Sequence, residues 1–408
     1  MSDDVRVTRK GVMELEFVDG NLTLESRATV KGKGTPQKIT VSGTVYCEGN
    51  NTFYGAVIAN NFEAEDNVVI HGDLQVKNRV EVKDGRLEVY GKMAAKRVDV
   101  DEALYVQGDL EAEDVDVGGS LKVNGGVKAE DIDIGGGFAA KGRVDADKID
   151  VGGKVTVESE VDIRTLKVGG SARVAGGKIR NVDVGGSFVS DGSLEFESID
   201  VGGTVKLSDQ NRGGDIEVGG VLKVEGSLEF RNIEVGGKVK ITGSAEGFEI
   251  DVGGKLEMGG SLKLSGTLEV GGKVVVDGEI SAETIEVGGV LRSRKAEAEN
   301  RIEVGGSITT DNGAVARVIE IGRRGNVHGF LKAEKVVVNR DARVEDIYGG
   351  QVFLRRGVHA ENVYGENIVI ESGCQIHGEV LYTQELRISE DVWLAQPAKK
   401  VDKLPSPS

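Results

Sequence analysis

The sequence predicts an all-β chain wound as a single long three-sided parallel β-helix, a β-solenoid of about 17 residues per coil. Three observations predict it: a Gly-Gly pair that recurs at a fixed interval, apolar residues that alternate in short pairs between those glycines, and an almost complete lack of proline. The first glycines are Gly118, Gly135, Gly152, Gly169, Gly185, Gly202, Gly219, Gly236, Gly253, Gly271, Gly288 and Gly305, spaced 16 to 18 residues apart. Gly322 keeps the beat without a second glycine. Such a period marks a solenoid, in which each repeat buries its apolar side only against its neighbours.

Residues 121–134 show the elements of one coil. Leu121 and Val123, Val127 and Ala129, and Ile132 and Ile134 are apolar pairs, each split by one polar residue. Period-2 alternation of this kind gives three very short strands, apolar side inward. The corners are Asn124-Gly125-Gly126, Glu130-Asp131 and Gly135-Gly136-Gly137. Corner length accounts for the 16- and 18-residue coils. Val and Ile favour strands, and glycine recurs too often for a helix to run through it. Glycine suits a corner that needs positive φ or close stacking. No proline lies between Pro36 and Pro397, as a continuous backbone ladder requires.

The same phase runs from about residue 40 to 394, roughly 21 coils. At about 4.8 Å per coil the rod would be on the order of 100 Å long. The predicted organisation is a β-hairpin cap over 1–38, Gly-Gly coils over 39–321, coils of a second dialect over 322–394 and a disordered tail over 395–408. The hairpin rests on the Asp19-Gly20 turn signal, and the tail on its polar, proline-rich composition.

The 408-residue chain carries a net charge of −17, which argues against nucleic acid as a partner. The charge also resists uncontrolled association of a repetitive β-protein. The start, MSDDVRVTRK, lacks an apolar signal region, so a cytoplasmic location is expected. Cys47 and Cys374 fall near opposite ends of the predicted rod, too far apart for an intramolecular disulfide. No cofactor, metal or small-molecule substrate is expected.

Two columns of outward charge follow from the coil register. The third strand presents Asp116, Asp133, Asp150, Lys167, Asp183, Asp200, Glu217, Glu234, Asp251, Glu269, Glu286, Glu303 and Glu320, acidic except at Lys167. The first strand has a basic bias, with Lys122, Arg173, Lys206, Lys223, Lys240 and Arg292. The columns either keep the surface solvated or pair rods side by side, and the acidic one is a candidate for cation binding. Tyr348, Tyr364 and Tyr382 are read as an outward aromatic column in three consecutive coils, for lateral contact or for stacking within the chain. His359 and His377 share a predicted corner column with His328 and Glu345, which reads as solvated histidines ahead of a metal site. The candidate end contacts are Ile39, Val41 and Val45 at one end, and Ile388, Val392, Trp393 and Leu394 at the other.

From Ile321 onward the pattern changes to runs such as Val327, Gly329, Leu331, Ala333, Val336 and Val338, repeated in looser form to residue 388. This pattern resembles the bactofilin family of polymer-forming cytoskeletal proteins, and the Gly-Gly coils look like a glycine-enriched version of it. The resemblance implies a right-handed β-helix. It also implies end-to-end filaments formed without nucleotide, with further copies of the chain as the main partner and cytoplasmic cargo or membrane-associated proteins as others. The chain departs from the family in its length and in the regularity of its Gly-Gly corners.

The sequence thus favours a non-enzymatic, self-assembling scaffold. The alternatives are a non-polymerising rod or spacer, a surface adhesin-like rod and, less favoured, a hexapeptide-type acyltransferase. The acyltransferase reading needs a small residue where Leu121, Leu222 and Leu291 stand, and a catalytic histidine among only four.

Overall fold

The computed structural model describes residues 3–407. They form a parallel β-solenoid of about 23 turns, about 17 residues each, with no helix. The chain divides into two compact units, Met1–Gly203 and Thr204–Ser408, built by the same rule.

Three faces repeat. Face A follows the Gly-Gly pair, as in Ser120–Val123. Faces B and C run together in Val127–Ile134, where the pairing passes from Ala129 to Asp131 and leaves Glu130 as the corner. The expected second and third strands are therefore one strand bent at that residue. Each face pairs in parallel with its counterpart one coil on.

The inward columns make the core. In the first unit Leu121, Phe138, Val155, Ala172 and Phe188 stack on face A, each at most 2% exposed. In the second, Leu222, Val239, Leu256, Val274, Leu291 and Ile308 do the same at 0%. A fully buried aliphatic of this size contributes roughly 1.5–3 kcal/mol. The core is thin, so this stabilisation comes almost entirely from the coils directly above and below.

Close stacking explains the Gly-Gly corners. A Cβ on Gly135 would lie 2.1 Å from the Gly118 carbonyl oxygen, and one on Gly152 would lie 2.4 Å from that of Gly135. Neither glycine has a positive φ. Toward both ends of the chain this corner changes type. It turns on one left-handed residue instead: Lys10, Arg27, Gly49 and Asp84 in the first unit, and Arg324, Asp341, Gly357, Gly373 and Asp391 in the second. The change of dialect near residue 322 is this change of corner.

Two expectations are corrected. The described residues 3–38 do not form the hairpin expected about Asp19-Gly20; their one antiparallel bridge is the tight Lys33–Lys38 turn. Val12–Leu15 pairs in parallel with Thr29–Gly32, and Leu22–Leu24 with Val45–Cys47. Val5 pairs with Leu22, so a 17-residue coil is already present at the start. Parallel stacking continues the core there, whereas a hairpin would leave the following coil uncovered. The segment 395–407 is not a free tail either. Lys399–Lys400 forms a face B strand against Leu381 and Tyr382, and the Val401 N–H donates to the Tyr382 carbonyl over 2.9 Å. No helix among the described residues is long and apolar enough to cross a membrane.

Candidate functional site

The terminal coils are where inward side chains lose their cover. At the C-terminal end Leu386 and Ile388 continue the inward column of Ile368 and Ile370 on face C. Ile368 is 1% exposed and Ile370 0%, whereas Ile388 is 41% exposed and Leu386 half-buried. Leu394 is likewise half-buried above the fully buried Ile376 on face A. At the N-terminal end Val5, Met13 and Leu15 are inward yet half-buried. Among the described residues the last strands of each end pair on one side only, which leaves a row of backbone donors and acceptors without a strand partner.

The structure re-sorts the candidate end residues. Ile39, Val41 and Val45 are 0%, 2% and 0% exposed. Ile39 and Val45 pair onward with Val57 and Phe62, and Val41 and Val45 pair back with Val18 and Leu22. They are interior, because the coils before them belong to the solenoid. Val392 is half-buried. Trp393 is in the last face A strand but points outward in line with Gln375, 52% exposed, its ring 5.3 Å from that of His377.

Face C carries the acidic column in strand-to-strand register. Asp99, Asp116, Asp133 and Asp150 follow one another, then Lys167, Asp183 and Asp200. The second unit has an acidic column of its own, Glu217, Glu234, Asp251, Glu269 and Glu286. Sequence reasoning began the first unit's column too late, at Asp116, since Glu63 and Glu81 already align with Asp99. It also missed the compensating cations beside it. Arg79 reaches Glu81 at 3.2 Å and Asp99 at 2.7 Å, and Arg301 reaches Glu303 at 2.5 Å and Glu320 at 2.7 Å. On face A, Lys206, Lys223 and Lys240 stand in register, and Lys206 meets Glu225 at 3.0 Å. Exposed pairs like these contribute about 0–1 kcal/mol each.

Asp116 shows what the column costs. Partial burial, and then Asp99, Asp133 and Asp101, push its carboxyl above the ordinary value. A carboxyl raised in the folded state binds its proton more tightly there, so folding stability falls as pH rises through that range. Asp116→Asn is expected to stabilise the protein at neutral pH by about 0.2–1 kcal/mol. Urea unfolding at pH 7 and at about pH 3 checks this, and the gain should vanish at the lower pH, where carboxylates are largely protonated.

The aromatic column is shorter than expected. Tyr348 and Tyr364 are in register with rings 5.0 Å apart, but Tyr364 pairs with Leu381, and Tyr382 falls opposite Gly365. The register shift in this strand lies beyond Tyr382, between Gly365 and Asn367, so counting back from Ile388 misplaces Tyr382 by one position. Tyr364 is only 8% exposed, and Leu404 and Pro405 share a cavity of about 620 Å³ with both rings. An aromatic stack that was not expected lies on the first unit. Tyr54, His71 and Tyr90 stack at 4.8 and 5.1 Å, and Tyr105 meets Tyr90 edge-on.

His328 Nδ1 lies 3.1 Å from Glu345, and the His359 and His377 rings stack 6.0 Å apart. His359 pairs with Gln375, so His377 belongs to the neighbouring column. Among the described residues no group of three or more such side chains is arranged to hold a metal ion. Both cysteines are buried free thiols, and burial pushes each one up, away from thiolate reactivity. No family model, curated protein or solved structure matches this chain.

Proposed function

We propose that this chain is a non-enzymatic structural protein, a long glycine-rich relative of the bactofilins, whose copies join head to tail into filaments without nucleotide. The observation that carries the reading is the incompletely covered inward column at each end: exposed Ile388 with half-buried Leu386 and Leu394 at one, and half-buried Val5, Met13 and Leu15 at the other. The strand order supports head-to-tail joining. The first described strand, Val5–Val7, is a face C strand, and the last, Lys399–Lys400, is a face B strand. The end coils therefore present faces C, A and B in the same order, and a second copy meets all three strand to strand. Such a contact is heterologous and, when it does not close, generates an open filament.

Negative-stain electron microscopy of the untagged protein at low and high salt tests this. Filaments with an axial repeat on the order of 100 Å, as the coil count predicts, are the expected result. Isolated particles at every salt concentration would refute end-to-end assembly. Side-by-side bundles that disperse with salt would assign the charged columns to lateral contact.

A further inference from the structure

We infer that copies of this chain also associate side by side, face A of the second unit on one copy against face C of the second unit on another. The contact uses neither end of the chain, so it stands apart from the filament reading.

Face A of this unit is basic, in a chain of net charge −17. One outward column aligns Lys206, Lys223 and Lys240. The column beside it aligns Lys238, Lys255 and Lys273, and Arg292 lies in the following coil. The one carboxylate in these columns is Glu257, next in line after Lys240. Lys238 meets it at 2.5 Å and Lys255 also pairs with it, and together they hold its carboxyl down at about 2. Lys223, Lys240, Lys273 and Arg292 have no ion pair among the described residues.

Face C of the same coils is the counterpart. Glu217, Glu234, Asp251, Glu269 and Glu286 are exposed and in register. None of them has an ion pair among the described residues, whereas Arg301 serves Glu303 and Glu320 in the coils that follow. Carboxylates about 4.8 Å apart repel one another. A cation from outside the chain relieves that repulsion.

Charge and spacing together select a second copy as the occupant. Both faces are built on the same coils, so the cations of one and the carboxylates of the other recur at one axial interval, about 4.8 Å. Two such units lying parallel match coil for coil, with Lys206, Lys223 and Lys240 opposite Glu217, Glu234 and Asp251. A slip by one whole coil keeps the match. Duplex phosphates recur about every 3.4 Å along each strand, out of step with the coils. A single exposed ion pair contributes about 0–1 kcal/mol, so a contact of this kind needs a row of them, which the repeat supplies.

Charge reversal on each face, separately and mixed, tests this in the full chain. One variant carries Lys223→Glu and Lys240→Glu, the other Glu234→Lys and Asp251→Lys, and circular dichroism checks that both fold. Side-by-side association is read by sedimentation and negative-stain electron microscopy at about 20 mM and about 500 mM salt, between which the screening length falls several-fold. The wild-type chain is expected to pair laterally at low salt and to separate at high salt. Each variant alone sets like charges face to face and should lose at least about tenfold of that association. Their equimolar mixture should restore it, because the reversed face A of one complements the reversed face C of the other. Lateral pairing that survives either reversal, or a wild-type chain that stays unpaired at low salt, would overturn the inference. Binding to vesicles of phosphatidylglycerol and phosphatidylcholine in equal parts, lost with Lys223→Glu and Lys240→Glu and without lateral pairing, would give face A to an anionic membrane instead. Filaments that never bundle would overturn the lateral contact alone. Lateral pairs of copies not joined at their ends would leave it standing and remove the filament reading.

Discussion

Replacing Ile388 with glutamate is expected to abolish filaments while leaving the solenoid folded. Ile388 is an inward residue with a partner coil on one side only: it pairs with Ile370 and is 41% exposed. In the free chain a carboxylate there remains hydrated, and the fold should lose less than about 1 kcal/mol. In the junction it would be desolvated against the next copy's first face C strand, Val5–Val7, without a cation. An unpaired buried charge costs several kcal/mol, and every 1.4 kcal/mol is about tenfold in association. Loss of sedimentable polymer by at least about 100-fold, with an unchanged circular dichroism spectrum, is the predicted readout. Trp393→Glu should do less, since Trp393 points outward beside His377. If Ile388→Glu assembles normally, the exposed inward column is not the joint.

The largest effect on stability is expected from Phe188→Ala. Phe188 is 0% exposed and stacks directly on Ala172, so it fills space that its neighbour leaves. Deleting a buried phenylalanine costs about 3–5 kcal/mol, and small neighbours cannot collapse to close the cavity. In a quasi-one-dimensional stack the loss should be felt first in adjoining coils. Hydrogen exchange should therefore accelerate around Ser187–Ser190 and its neighbours before distant coils respond. A change below about 1 kcal/mol would show that the core repacks more freely than the register implies.

Much of this was legible in the sequence, because coil-to-coil register turns a linear period into a spatial column. Leu121, Val123, Ile132 and Ile134 were placed inward from alternation alone, and Asp116, Asp133 and Asp150 were placed on one face from the Gly-Gly spacing. The N-terminal coils were missed for a local reason. Their corners turn on Lys10 and Arg27, residue types that carry no glycine signal, so Asp19-Gly20 read as a hairpin. The misplacement of Ile39, Val41 and Val45 as end residues followed from that single error. Tyr382 was lost to a register shift that alternation does not reveal. The seat of Leu404 and Pro405 depends on small residues contributed by separate coils, and a polar, proline-rich composition gives no hint of it.

The shared strand order at the two ends has an arithmetic consequence. Chain length can change by any whole coil, through duplication or loss of about 17 residues between two Gly-Gly pairs, while the terminal strands stay in phase. A change of six residues would instead rotate one terminus by a third of a turn and set face A against face B. Chain length is therefore quantised for as long as the terminal strands are to keep their phase.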